Sequence, residues 1–179
     1  MKSWEQEKNI GNEWYKYASK ENKNYFVKFM MYWVAFNWLY EEYRKYSEDT
    51  KDSEYTKDFE DTKGCKDEKL IIQKFLDDND QRNLIALESL NIFTNPQYQQ
   101  AIDVLTEEPI VDARTFKPKR YYKDQVVNNE SILDLIYIIY HIRCNLFHGA
   151  KSPSAPRNGA LVEAAATILD VFLKKLLGI

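Results

Sequence analysis

With 179 residues the chain is long enough for one domain with a real core, and a net charge of -3 excludes nucleic-acid binding by bulk electrostatics. Any contact with nucleic acid needs a local basic patch. Aromatics make up 15% of the chain, while Gly and Pro number only five each; such sparse punctuation favours long helices over a turn-rich β fold.

The N-terminal run MKSWEQEKNIGNEW is too polar for a signal peptide. Residues 3–18 read as a first helix with Trp4, Ile10, Trp14 and Tyr17 toward one side, although Gly11 weakens the pattern. Residues 22–46 read as a second. Phe26, Phe29, Met30, Trp33, Asn37, Tyr40 and Arg44 follow steps of three and four, and Asn37 is the odd member of an apolar stripe. A buried Asn must find partners or costs a few kcal/mol. The run YFVKFMMYWVAFNWLY is interrupted by Lys28 and Asn37. At about 16 residues it falls short of the roughly 20 that span a bilayer, so no membrane segment is expected.

Residues 47–69 are mostly charged, with both signs mixed, and read as a mobile insertion after the second helix; the alternative is a frayed extension of that helix. Residues 68–78 and 80–92 then suggest two short helices. Leu70, Ile71, Phe75 and Leu76 serve the first; Leu84, Ile85, Leu87 and Leu90 serve the second. A further turn or two follows Pro96 and ends near Leu105. Residues 106–129 look irregular and contain FKPKRYYK, in which Lys117, Lys119, Arg120 and Lys123 stand among three aromatics. Basic groups engage phosphates and aromatics stack on bases, so these residues, with Lys151 further on, are the candidate RNA contacts. The competing reading is a surface loop whose tyrosines pack back on the core.

Residues 130–148 form a central helix with Ile132, Leu135, Ile136, Ile139, Ile142 and Leu146 as its buried stripe, and Gly149 is placed to end it. KSPSAPRNG is a loop. The last helix, about 158–177, carries Leu161, Val162, Ala165, Ile168, Leu169, Phe172, Leu173 and Leu176. No alternating strand is evident. The chain therefore reads as a single all-α domain, a helical bundle with one charged insertion. Cys65 and Cys144 lie in unlike settings, a charged stretch and an apolar helix, which points to a reducing compartment and a cytoplasmic protein.

The segment IRCNLFHGAKSP runs an apolar helix into Arg143, Asn145 and His148. His exchanges protons near neutral pH, and Arg offers a permanently charged planar fork for phosphate oxygens. The pair suits transfer at a phosphodiester. In RNA the neighbouring 2′-OH is a built-in nucleophile, so neither a metal nor another cofactor is required. Asn145, three residues before His148, is placed to orient the imidazole. On bland readings Arg143 pairs with an acidic residue and His148 caps the helix. His141, Cys144 and His148 share a helix face, but zinc sites show paired ligands at short spacing and there is no second pair, so no metal is expected.

RCNLFHGAK, ending an apolar helix and followed by a loop and a final apolar helix, resembles the R-x4-6-H signature of HEPN domains. YWVAFNWLY resembles the helix that often precedes it in bacterial members. The likeness covers the second helix and roughly residues 130–177. It implies a helical bundle of the HEPN type. It implies too a metal-independent endoribonuclease of the toxin–antitoxin or antiviral-defence kind, with Arg143 and His148 as the catalytic pair and Asn145 assisting. Many members carry a polar residue directly after the Arg; here Cys144 stands there and Asn145 comes next. The resemblance also implies a homodimer, because one His cannot serve as base and acid on opposite sides of one phosphate, whereas two copies supply two. Asn37, on the inner face of the second helix, would then stand within reach of Arg143; the competing reading is a satisfied core amide. A cognate antitoxin or defence partner protein belongs to the same expectation. The alternative is a non-catalytic HEPN module that binds RNA, nucleotide or a partner protein.

Overall fold

The computed structural model describes residues 4–21, 23–49, 68, 71–72, 74–76, 92–108, 110, 132–147 and 155–179. Among the described residues five helices carry the fold: α1 (Trp4–Lys20), α2 (Tyr25–Asp49), α3 (Pro96–Thr106), α4 (Ile132–Phe147) and α5 (Pro156–Leu177). Glu68, Ile71, Ile72 and Lys74 to Leu76 also have helical backbone. The protein is all-α, with no strand among the described residues. Among them, too, no helix is long and apolar enough to cross a membrane.

The connection from α1 to α2 is written in side-chain caps. Glu21 Oε1 accepts from the backbone of Lys23 and Asn24 at 2.8 and 3.0 Å. Asn24 then opens α2, its Oδ1 accepting from the N–H of Phe26 and Val27. So short a link forces α1 and α2 to lie antiparallel, with Gly11 beside Ala35 and Leu39 and the ring of Tyr15 stacked 5.5 Å from that of Tyr32. A Cβ on Gly11 would stand 3.3 Å from Leu39 Cδ2. The glycine that weakens the helix in isolation is what lets the two backbones approach.

The inner face of α1 is Gly11, Tyr15 and Ala18. The side on which the sequence groups Ile10, Trp14 and Tyr17 is not the packed one: Trp14 and Tyr17 are exposed, and Ile10 is half-buried. The side chain of Trp4 lies outside the described residues. Large aromatics dominated the pattern, whereas the real contact uses small residues and one tyrosine.

Helix α2 is buried over a wider arc than one stripe. Phe29, Trp33 and Tyr40 are covered as the spacing suggests, but so are Tyr32, Ala35, Phe36 and Leu39. Phe36 is the centre of an aromatic cluster, with Trp33, Tyr40, Phe75 and Phe172 at 5.3 to 6.0 Å in edge-on geometry. Those contacts bring α5 and Phe75 onto α2. All eight apolar positions expected for the last helix are buried. It begins at Pro156 and ends at Gly178, whose φ of 72° lets its N–H reach back to Lys174 and Lys175 carbonyls. Helix α3 opens on Asn95, whose side chain accepts from the Gln97 N–H, and buries Ala101, Ile102 and Leu105. Helix α4 is covered all round from Leu135 to Ile142, so its expected stripe is only part of what it buries. Leu70, the side chain of Ile132 and residues 80–91 of the helix expected over 80–92 lie outside the described residues, while Ile92 is in a turn. Of the charged insertion expected over 47–69, residues 47–49 continue α2, Glu68 has helical backbone, and 50–67 and 69 lie outside the described residues.

One polar contact ties three helices. Tyr15 of α1 and Tyr32 of α2 both donate to Asp170 Oδ1 of α5, at 2.8 and 2.6 Å, and Lys174 donates to Oδ2 at 2.7 Å. Burial, then the hydrogen bonds to Asp170, raise both phenols, Tyr15 to about 12. Burial alone would raise the Asp170 carboxyl, but Lys174, Tyr32 and Tyr15 outweigh it and the net shift is downward. A depressed carboxyl contributes stability above its unfolded value, near 4, and loses it as pH falls through the folded value. Asp170→Asn should therefore cost about 1–3 kcal/mol in urea denaturation at pH 6. The gap to the native chain should narrow toward pH 3, and a gap independent of pH would contradict this assignment.

Candidate functional site

Arg143 occupies the last turn of α4, where the helix passes from a covered interior to a partly open end. Its guanidinium carbon lies 5.6 Å from the centre of the Trp33 ring and 5.0 Å from that of Phe147. Trp33 is buried on α2, whereas Phe147, one turn beyond Arg143, is exposed. The cation thus sits between a core indole and a surface phenyl, with 23% of its side chain accessible.

Arg143 Nη1 donates to Glu68 Oε2 at 3.2 Å and lies 3.8 Å from Cys144 Sγ. The other carboxylate oxygen of Glu68 accepts from the Tyr40 hydroxyl at 2.6 Å. Tyr40 Oη in turn contacts the side-chain amide of Asn37. The phenol thus faces two acceptors, Glu68 Oε1 and Asn37 Oδ1, and its single proton serves one of them at a time. Trp33, Asn37 and Tyr40 stand at i, i+4 and i+7 on one face of α2. Asn37, Tyr40, Glu68 and Arg143 therefore form a single polar chain from α2, through Glu68, to the end of α4.

Electrostatics along the chain are consistent. Burial disfavours the charged guanidinium, but the Glu68 carboxylate and then Cys144 overcome it, and the net effect holds Arg143 above its ordinary value. Burial, then the Glu68 charge, push the Tyr40 phenol far up, so it stays a neutral donor; Arg143 opposes this only in part. Arg143 Nε and Trp33 Nε1 are buried donors with no acceptor among the described residues.

Two residues of this chain were not singled out from the sequence as functional. Glu68 looks like part of the charged run, yet it precedes Ile71, Ile72 and Phe75 by three, four and seven positions. That places a carboxylate on the stripe these buried residues define, the local signal that identifies it. Tyr40 belongs to the apolar stripe of α2, three residues after Asn37, and spacing alone does not mark its hydroxyl as functional.

Of the expected site residues, Arg143 and Asn37 come together through Tyr40 and Glu68. Asn145 does not join them. Two residues along a helix turn about 200°, so Asn145 faces away from Arg143. It is buried beside a shallow pocket lined with Ile110, Ile142, Leu146, Asn158, Leu161 and Val162. His148, Lys117, Lys119, Arg120, Lys123 and Lys151 lie outside the described residues. His141 and Cys144 are buried in α4, and no group of three His, Cys, Asp or Glu that could hold a metal ion occurs among the described residues.

No family model, no curated protein and no solved structure matches the chain.

Removing the Arg143 charge while keeping its apolar stem tests the ion pair. Arg143→Met leaves the Glu68 carboxylate, only 19% exposed, with the Tyr40 phenol as its partner among the described residues. A loss of about 1–3 kcal/mol is expected in urea denaturation, with partial recovery when Glu68→Gln is added. A double variant as unstable as the sum of the two single ones would contradict the pairing.

Proposed function

We propose that the chain is a metal-independent endoribonuclease of the HEPN type, acting as a toxin or antiviral-defence effector in the cytoplasm. The observation that carries this reading is the state of Arg143. The cation is fixed, partly open to solvent and bonded to its carboxylate partner through Nη1. A fork held in that way suits a phosphate oxygen at its remaining edge.

The chemistry follows from RNA itself. Arg143 binds the scissile phosphate and offsets the charge that grows on its oxygens. The 2′-OH loses its proton to a base and its oxygen bonds to phosphorus. The bond from phosphorus to the 5′-oxygen breaks, and an acid returns a proton to that oxygen. The products are a 2′,3′-cyclic phosphate and a 5′-OH. His148 handles protons, and a homodimer brings a second His148 for the other side of the phosphate. Asn145 belongs to the opposite face of α4 from Arg143, which favours a role toward the helix end and His148 rather than toward the guanidinium. Lys117, Lys119, Arg120, Lys123 and Lys151 are proposed to track the RNA backbone. A cognate antitoxin or defence partner would restrain the enzyme.

The Glu68 ion pair also favours a second reading. An Arg already paired in a half-buried setting serves as a cross-link, and the chain would then be a non-catalytic HEPN module that binds RNA, nucleotide or a protein. Labelled RNA incubated in EDTA separates the two. The nuclease reading expects cleavage to ends bearing a 2′,3′-cyclic phosphate, with a loss of about 10²-fold or more in His148→Ala. Equal cleavage by both proteins, or no cleavage and no toxicity on expression, favours the binding module.

A further inference from the structure

From the path Asn37–Tyr40–Glu68–Arg143 we infer that Tyr40 and Glu68 are positioning residues for the phosphate-binding guanidinium, an assignment that rests on the nuclease reading above. A guanidinium at the end of a four-bond stem has several ways to move. Here the rings of Trp33 and Phe147, 5.6 and 5.0 Å from Cζ, limit where its plane lies. The Glu68 carboxylate on Nη1 stops it from spinning within that plane. A single N–H contact at 3.2 Å does this without occupying the whole fork.

Glu68 is itself held. Its second oxygen accepts from Tyr40, which is fully buried on α2 and packed edge-on against Phe36 at 5.3 Å. Ile71, Ile72, Phe75 and Leu76, on the stretch that follows it, are all buried. The carboxylate is therefore anchored from the core outward, as a fixed support and not as a flap that swings over the cation. Asn37 completes the path by engaging the phenol from one turn earlier. An apolar side chain at either position would pack more cheaply than a phenol–carboxylate pair in this setting. What the polar pair supplies is a defined place for one cation, and placement is worth a large share of a rate.

Tyr40→Phe is the decisive variant, because it removes the hydroxyl without altering any charge or the ring's packing. The native chain, Tyr40→Phe, Glu68→Gln and the double variant are compared for kcat and KM on a short RNA in EDTA, with folding checked by circular dichroism. The expected result is a fall in kcat of about tenfold for Tyr40→Phe with KM within about twofold. Tyr40→Phe should add little once Glu68→Gln is present, since the two act as one device. An unchanged kcat in Tyr40→Phe overturns the assignment. So does a rise in activity in Glu68→Gln, which would make the carboxylate a competitor for Arg143. Should the native chain leave RNA intact, the nuclease reading falls while this inference is still decided, by anisotropy of a fluorescein-labelled RNA. Weakening by Tyr40→Phe comparable to that by Arg143→Lys sustains it; binding that Tyr40→Phe does not weaken, or no binding at all, overturns it.

Discussion

The burial of α2 is the constraint on which the rest depends. The helix carries Phe29, Tyr32, Trp33, Ala35, Phe36, Leu39 and Tyr40 in its covered arc, too wide an arc for one neighbour to cover. It has to be enclosed, and α1, α5 and Phe75 supply walls. Enclosure creates a polar problem at each tyrosine, since a phenol hydroxyl in the core needs an acceptor. Tyr32 and Tyr40, fully covered among the described side chains of α2, solve it in the same manner, by reaching a carboxylate on another element. Tyr32 finds Asp170 of α5, and Tyr40 finds Glu68. Each bond fixes one wall against α2. Each carboxylate then takes a cation on its other oxygen, Lys174 in one case and Arg143 in the other.

The two arrangements are alike in chemistry and unlike in consequence. Lys174 lies one turn from Asp170 on the same helix, so that pair is local. Arg143 comes from α4, 75 positions from Glu68, and the bond joins two distant parts of the chain. It does so at the terminal turn of α4, beside an exposed Phe147. The same contact that closes the core thus presents a charged, oriented group at its edge. This is why a cross-linking role and a phosphate-binding role for Arg143 need not exclude each other.

Much of the fold was legible because helix-forming patterns here are long and apolar. The stripe of α5 reads directly from Leu161 to Leu176, and Pro156 and Gly178 sit at its two ends for reasons of backbone geometry. What was not legible came from contacts that composition hides. Trp14 and Tyr17 outweigh Gly11 and Ala18 in any hydrophobic count, yet close helix approach rewards the small residues. Glu68 was masked by its acidic and basic neighbours, although its spacing to Ile71, Ile72 and Phe75 marked it. Within the site, Arg143 at the polar end of a greasy helix was visible in the sequence, and Asn37 as the odd polar residue of its stripe. The link between them was not, because it passes through a hydroxyl counted as apolar and a carboxylate counted as solvated. The separation of Asn145 from Arg143 follows from 100° per residue and needed no structure.

The most direct measurement is a crystal structure of the protein with a short 2′-deoxy oligonucleotide, which offers the phosphodiester but no nucleophile. A phosphate oxygen is expected on the Arg143 guanidinium, with Glu68 still bonded to Nη1 and Tyr40 still bonded to Glu68. A phosphate bound elsewhere, or on Arg143 only after Glu68 has let go, would contradict the view that this carboxylate holds the cation in place for its ligand.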